Sequence, residues 1–254
     1  VSFELMRHNL KESAELQKKY EENRKELIAN ISHDLKTPIT SIKGYVEGIR
    51  DGVANTPEKM ERYIQTIYTK TLDMDHLINE LFLYSKLDLN RIPFQFEEVN
   101  IHDYLVDIIE ELRFDLENTN VNISYKNDEE IQNCIVNLDR EQFKRALTNI
   151  FQNSLKYMDK KEKIITIELK MTDEEVMLQF QDNGKGISKE AIPNIFERFY
   201  RADPSRNQST GGSGLGLAIV KKIIEEHNGK IWAESELGKQ TTIFLTLKRK
   251  NVIR

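Results

Sequence analysis

The chain opens in a helical pattern. Apolar residues recur at Leu16, Tyr20, Leu27, Ile31, Leu35, Ile39, Ile42, Val46 and Ile49, and the later spacings of three and four mark one face of a long helix. Asp51-Gly52 and Asn55-Thr56-Pro57 stop it and turn the chain. A second stripe follows: Met60, Ile64, Ile67, Thr71, Met74, Leu77 or Ile78, Leu81 and Tyr84. Two amphipathic helices joined by a short turn form an antiparallel hairpin. Two helices cannot cover their own apolar stripes, and pairing two hairpins in a four-helix bundle can, so a homodimer is expected.

The pattern changes near Arg91-Ile92-Pro93. A helix at about 101–118 precedes short alternating runs that read as strands: Asn122–Tyr125, Cys134–Asn137, Ile164–Lys170, Val176–Gln181, Lys230–Glu234 and Thr241–Leu247. Helices interleave at about 140–157 and 214–228, with His227 in the last turn and Gly229 as the cap. The expected fold class is α+β, a helical hairpin dimerising into a four-helix bundle and followed by an α/β sandwich. The expected division is a coiled-coil lead-in over 1–25, the hairpin over 26–90, and the sandwich over 94–248.

Composition narrows the options. The first 26 residues mix six basic and six acidic side chains with no Gly or Pro, which suits a solvated lead-in helix. A net charge of −5 over 254 residues argues against a nucleic-acid binder. The single cysteine, Cys134, excludes an internal disulfide framework and a cysteine-built zinc site, and reads as core. No apolar run reaches the length that spans a bilayer, and no signal peptide stands at the start. The chain reads as a soluble piece of something longer. The basic run Lys248-Arg249-Lys250 reads as a solvated end.

Four motifs carry chemistry. Ser32-His33-Asp34-Leu35-Lys36-Thr37-Pro38 lies in the first helix, with His33 off the apolar stripe. An exposed imidazole can be a nucleophile, and Asp34 can hold Nδ1–H so that Nε2 keeps its lone pair. Pro38 cannot donate to the carbonyl of Asp34 and is expected to bend the helix. Thr37, one turn from His33, can hold a water there. Further on, Asn149, Asn153, Lys156 and Tyr157 share one helix face, offering a hard oxygen ligand for Mg²⁺ and a cation for phosphate. Asp182-Asn183-Gly184-Lys185-Gly186-Ile187 follows a strand and offers a carboxylate for an exocyclic amine beside two glycines that admit a flat ligand. Gly211-Gly212-Ser213-Gly214-Leu215-Gly216-Leu217 opens a helix and exposes backbone N–H groups to phosphate. Between the last two lie Phe196–Arg201 and a polar stretch, Ala202–Thr210, that read as a lid, with Arg198 or Arg201 in reach of phosphate.

Taken singly, each motif also has a bland reading as a surface helix face, a tight turn or a loop. In order, over more than 180 residues, they resemble the sensor histidine kinases of two-component systems, of the class with a His-Asp/Glu-x-x-Thr-Pro box. The resemblance implies a dimerisation and phosphotransfer hairpin followed by an ATP-binding domain of the gyrase, Hsp90 and MutL type. It implies that His33 is phosphorylated, that Asp34 is its acid/base partner, and that Thr37 serves phosphatase activity on a response regulator. It further implies Asn153 as the Mg²⁺ ligand with Asn149 nearby, and Asp182 as the adenine anchor with Gly184 and Gly186 in its pocket. Gly212, Gly214 and Gly216 then form the phosphate loop. Ser154 stands where the family often has Ala. ATP and Mg²⁺ are the implied cofactors, a receiver domain the implied partner, and the cytoplasmic core of a membrane receptor the implied setting. Two other classes fit parts of the pattern. A gyrase-type clamp ATPase leaves the His33 box without a role, and a silent relay module predicts damaged nucleotide boxes.

Overall fold

The computed structural model describes residues 2–89, 91–117, 119–128, 131, 134–172, 174–202 and 213–250. The chain divides into two compact units, Val1–Asn79 and Glu80–Arg254.

The first unit is helical. Helix α1 runs Ser2–Arg50 and helix α2 runs Pro57–Asp88, its last residues belonging to the second unit. Pro38 lies inside α1, which continues through it. Gly52 takes the left-handed conformation that the turn requires (φ 72°), and Thr56 accepts the Lys59 N–H on its hydroxyl at 3.3 Å to start α2. Gly48 is small because a Cβ there would stand 2.8 Å from the Tyr63 ring, and Tyr63 packs edge-on against Tyr45 at 4.9 Å. Within one chain several apolar side chains of the two helices are poorly covered. Ile39, Val46, Ile64, Tyr68 and Leu72 are each about half exposed.

The second unit is a sheet under helices. Strands β2 (Val121–Asn127), β4 (Lys163–Met171), β5 (Glu175–Asp182), β7 (Gln240–Lys248) and β6 (Ile231–Glu236) form one sheet in the order β2-β4-β5-β7-β6. The β2–β4 pair is parallel and the others antiparallel. A short antiparallel pair, β1 (Glu97–Asn100) with β3 (Ile135–Leu138), stands apart. Helices α3 (Ile101–Asp115), α4 (Arg140–Tyr157) and α5 (Gly216–Glu226) share the core with the sheet. Alternation puts Ile165, Ile167 and Leu169 of β4, Val176, Leu178 and Phe180 of β5, and Ile243, Leu245 and Leu247 of β7 into that core. Tyr84 and Leu87, near the end of α2, are buried in it as well.

Several expectations need correction. Strand β1 has only one buried residue, Val99, and no apolar alternation. Helix α3 ends at Asp115, although Leu116 continues its stripe. Helix α5 starts at Gly216, because Gly214 is left-handed (φ 69°). At its other end the left-handed residue is Asn228 (φ 55°), not Gly229. The bonds Asn228 N→Glu225 O and Gly229 N→Ile224 O, each 2.9 Å, form a Schellman motif. Gly229 is required for contact, since a Cβ there would lie 2.0 Å from the Thr246 carbonyl. The basic run is no loose end. Arg249 donates to the Thr172 carbonyl at 2.8 Å, the Lys250 N–H to the Ile135 carbonyl at 2.9 Å, and Lys250 pairs with Glu98.

Candidate active site

On α1, His33 is 70% exposed and its Nδ1 stands 3.1 Å from Oδ1 of Asp34. Sequence neighbours on a helix diverge by about 100°, so the contact needs the Asp34 side chain to reach sideways. A carboxylate can only accept, so in the neutral ring this contact places the proton on Nδ1 and the lone pair on Nε2. Thr37 donates its hydroxyl to the His33 carbonyl at 3.2 Å, which spends its one proton and leaves its oxygen as an acceptor.

In the second unit one cluster forms where β5 ends. Along this strand Val176, Leu178, Phe180 and Asp182 point the same way, so the fourth inward position holds a carboxylate. On α4 the core face runs Phe143, Ala146, Leu147, Ile150, Phe151 and then Ser154, so the last inward position there is a hydroxyl. The two polar ends meet. Ser154 donates to Oδ2 of Asp182 at 3.1 Å, and the Gly184 N–H donates to Oδ1 at 2.9 Å. Burial pushes the Asp182 carboxyl up, and bonds from Gly184, Ser154 and Thr241 pull against it.

The backbone around this carboxylate is close-set. A Cβ on Gly184 would meet Asp182 Oδ1 at 2.7 Å and the Tyr157 carbonyl at 2.9 Å. Gly186 is left-handed (φ 68°), and a Cβ there would lie 2.2 Å from the Glu236 carbonyl. The Ile187 N–H is held by Ser235 at 2.8 Å. Tyr157 has Lys156 Nζ over its ring at 5.3 Å and Lys185 Nζ at 5.7 Å. Asn183 is structural, clasping the Ile164 N–H and the Glu162 carbonyl.

A second cluster surrounds the start of α5. Asn149 donates to the Gly216 carbonyl at 3.4 Å, and half-buried Asn153 lies one turn further along α4. Leu215 is fully buried and Leu217 packs against the core, so what they offer a ligand is backbone. Ser213 accepts the Leu215 N–H at 2.9 Å and bonds the Glu80 carboxylate. A Cβ on Gly214 would stand 2.7 Å from the Phe199 backbone, and Phe199 is itself left-handed (φ 58°), a strained state for a bulky residue. Burial and the nearby Arg201 push the Lys156 ammonium down, while Glu80 opposes them.

Arg198 stands apart, 5.9 Å over the Tyr84 ring. Burial and Asp88 push this phenol up to about 12 against the guanidinium. Of the two lid arginines, only Arg201 is among the charges that act on Lys156. Gly212 and nearly all of the Ala202–Thr210 stretch lie outside the described residues.

At the far end, His227 ties α5 to α4. Its Nδ1 donates to the Ile223 carbonyl at 2.7 Å, and its Nε2 accepts the Asp139 N–H at 2.9 Å. Asp139 caps α4 through the Gln142 N–H at 2.9 Å and accepts the Gln95 N–H at 2.8 Å. Together with the Asn149–Gly216 bond, this sets the two helices side by side and antiparallel. Sequence reasoning noted Ser154 only as standing where the family often has Ala, and missed its bond to Asp182 and the His227 tie. A polar residue at the last core position of an apolar stripe was the available signal for the first.

Comparison with known proteins gives the family. Residues 23–90 match the His Kinase A (phospho-acceptor) domain, and residues 138–251 match the histidine kinase-, DNA gyrase B-, and HSP90-like ATPase family. The sensor histidine kinase WalK of Bacillus subtilis is 33% identical over 235 residues, 92% of this chain. The chain belongs to the sensor histidine kinases.

This histidine kinase chain spans 38% of the length of that relative. It spans 55% of a Staphylococcus aureus WalK, to which it is 32% identical over 233 residues. In fold it is similar to Acinetobacter baumannii histidine kinase AdeS, with TM-score 0.65 and 20% identity over 86% of this chain and 98% of that one. It is also similar to histidine kinase ThkA, solved with the response regulator TrrA. There the TM-score is 0.72 and the identity 24%, over 90% of this chain and 63% of that one. Among the described residues of the histidine kinase chain, no helix is long and apolar enough to cross a membrane.

Proposed function

We propose that the chain transfers the γ-phosphoryl group of ATP to Nε2 of His33 and passes it to an aspartate of a response-regulator receiver domain. In its opposing mode it removes the group from that aspartate. The observation that carries the reading is the His33–Asp34 pair, an exposed imidazole whose Nδ1–H is committed to a carboxylate at 3.1 Å. That bond fixes the tautomer, leaves the Nε2 lone pair for attack, and stabilises the imidazolium that forms.

Residues 26–90 serve as the dimerisation and phosphotransfer hairpin, after a lead-in over 1–25. Residues 94–248 serve as the catalytic domain. A second copy of the hairpin covers the exposed Ile39, Val46, Ile64, Tyr68 and Leu72. Asp182 accepts from the adenine amine beside Gly184, Gly186, Ile187 and Tyr157. The first N–H groups of α5 at Gly216 and Leu217, with Gly212, Gly214 and Leu215 before them, receive the phosphates. Lys156 and Arg201 add positive charge, and Arg198 holds the Tyr84 side. Asn153, a hard carboxamide oxygen, suits Mg²⁺, which binds through few protein groups plus phosphates. When bound, the ion neutralises phosphate charge. Positioning by the chain supplies most of the remaining catalysis, because the transition state is loose. A ThkA structure holding a response regulator supports the choice of partner.

Incubation with γ-labelled ATP tests the reading. Acid-labile, base-stable label should map to His33, and His33→Gln should abolish it with ADP affinity unchanged. Label persisting in that variant contradicts it.

A further inference from the structure

The family resemblance treats position 154 as neutral, yet here it carries a hydroxyl at the last core position of α4. Ser154 and Asp182 are 5% and 6% exposed, so their contact is shielded from water. The carboxylate accepts Ser154 on Oδ2 and the Gly184 N–H on Oδ1, and a backbone bond from Thr241 acts on it as well. Two donors on opposite oxygens fix the plane of the group about its terminal torsion, which is otherwise broad. They also leave it acceptor-only, since a carboxylate keeps further lone pairs but gains a proton to donate only when neutral.

We propose that Ser154 is the positioning residue for base recognition: by holding Asp182 as an oriented, acceptor-only carboxylate, it makes this site select a 6-amino purine over a 6-oxo purine. A 6-amino purine presents an N–H donor at the edge where a 6-oxo purine presents a carbonyl oxygen. An ionised carboxylate attracts the first and repels the second. A protonated carboxyl, by contrast, donates its O–H to the 6-oxo oxygen. The choice therefore depends on which form of Asp182 persists in a buried site. Burial pushes Asp182 up, and the Ser154 hydroxyl is one of the bonds that pull it down. Lys160, beyond α4, is the charge acting in the same direction. The sheet neighbours, Ile165 on β4 and Thr241 on β7, bring no charge. The Gly184 and Thr241 donors are backbone and cannot be removed by substitution, so Ser154 is the adjustable donor.

This inference rests on the assignment of the base to Asp182, and the test separates the two. ADP and GDP affinities are measured without Mg²⁺ by calorimetry from pH 5 to 8 for the full chain. The proteins are wild type, Ser154→Ala, Ser154→Thr and Asp182→Asn. Ser154→Ala should weaken ADP about tenfold at pH 7, the size expected for a bond to a charged group. It should also narrow the ADP-over-GDP preference and move the acid loss of ADP binding to higher pH. Ser154→Thr, which keeps the hydroxyl, should restore both. A merely structural role moves neither the acid limb nor the base preference. If Ser154→Ala keeps the wild-type acid limb and base preference while Asp182→Asn weakens ADP, this inference fails alone. If Asp182→Asn leaves ADP affinity and base preference unchanged, the assignment of the base fails and takes the inference with it.

Discussion

Replacing His227 with Phe isolates one bond. The ring stays among Phe94, Phe96 and Phe143, whose centroids lie 5.1 to 5.8 Å away, so volume and aromatic packing are largely kept. The Ile223 carbonyl loses Nδ1 but still accepts the backbone N–H of residue 227 at 3.1 Å. The Asp139 N–H, by contrast, loses the imidazole acceptor 2.9 Å away. Leaving a buried donor unmatched costs about 1–3 kcal/mol. A loss of about 2 kcal/mol in a unit of this size lowers Tm by roughly 4–8 °C. The effect also depends on pH. Burial pushes His227 below the ordinary 6.5, outweighing the Asp139 and Glu226 carboxylates. The unfolded chain therefore takes up this proton first. The contribution is complete above the unfolded pKa and declines as pH falls through the folded one, by up to about 1.4 kcal/mol per unit. Phe has no such dependence, so the gap between the two proteins should narrow below about pH 6.5. The chain has one tryptophan, Trp232 in β6, and its fluorescence in urea melts reports the second unit alone. Equal stability at pH 8, or a gap that widens on acidification, refutes the reasoning.

Two further outcomes follow from the geometry. Thr37→Ala should keep autophosphorylation within severalfold and lose most dephosphorylation of a phosphorylated regulator, since the hydroxyl oxygen is free to accept from a water when its proton stays on the His33 carbonyl. Both rates are read in one labelled-phosphate assay, and a joint loss marks Thr37 as structural. Gly214→Ala forces a left-handed alanine, about 1–2 kcal/mol, and a Cβ 2.7 Å from the Phe199 backbone, so ADP affinity should fall more than tenfold in calorimetry.

The helices were legible because long stripes repeat the same instruction many times. Helix α4 reads from Arg140 to Tyr157 without error, since its core face recurs through Phe143, Leu147, Ile150 and Ser154. The six sheet and edge strands read from alternation shifted only at their ends. Strand β1 was invisible because four residues with one buried side chain hold no period. Its partner strand and the Ile101 N–H bond to the Cys134 carbonyl define it instead, and both are distant in sequence. Site legibility split in the same way. Asp182 announced itself as a carboxylate beside two glycines, whereas Ser154 gains meaning only from what stands opposite. Asn228 took the left-handed place expected of Gly229 because the glycine was needed one residue later, against β7.

Helix α1 is unbroken from Ser2 to Arg50, Pro38 included. At about 1.5 Å per residue its axis runs about 74 Å, with the His33 imidazole roughly 47 Å from its beginning. Such a rod has an azimuth as well as a length. Each residue added or lost ahead of His33 swings the imidazole about 100° around the axis, while seven bring it back within about 20°. The compass bearing of His33 is thus set by winding many turns away. A twist imposed at the far end reaches it undiminished wherever the rod stays stiff, and its direction matters as much as its size.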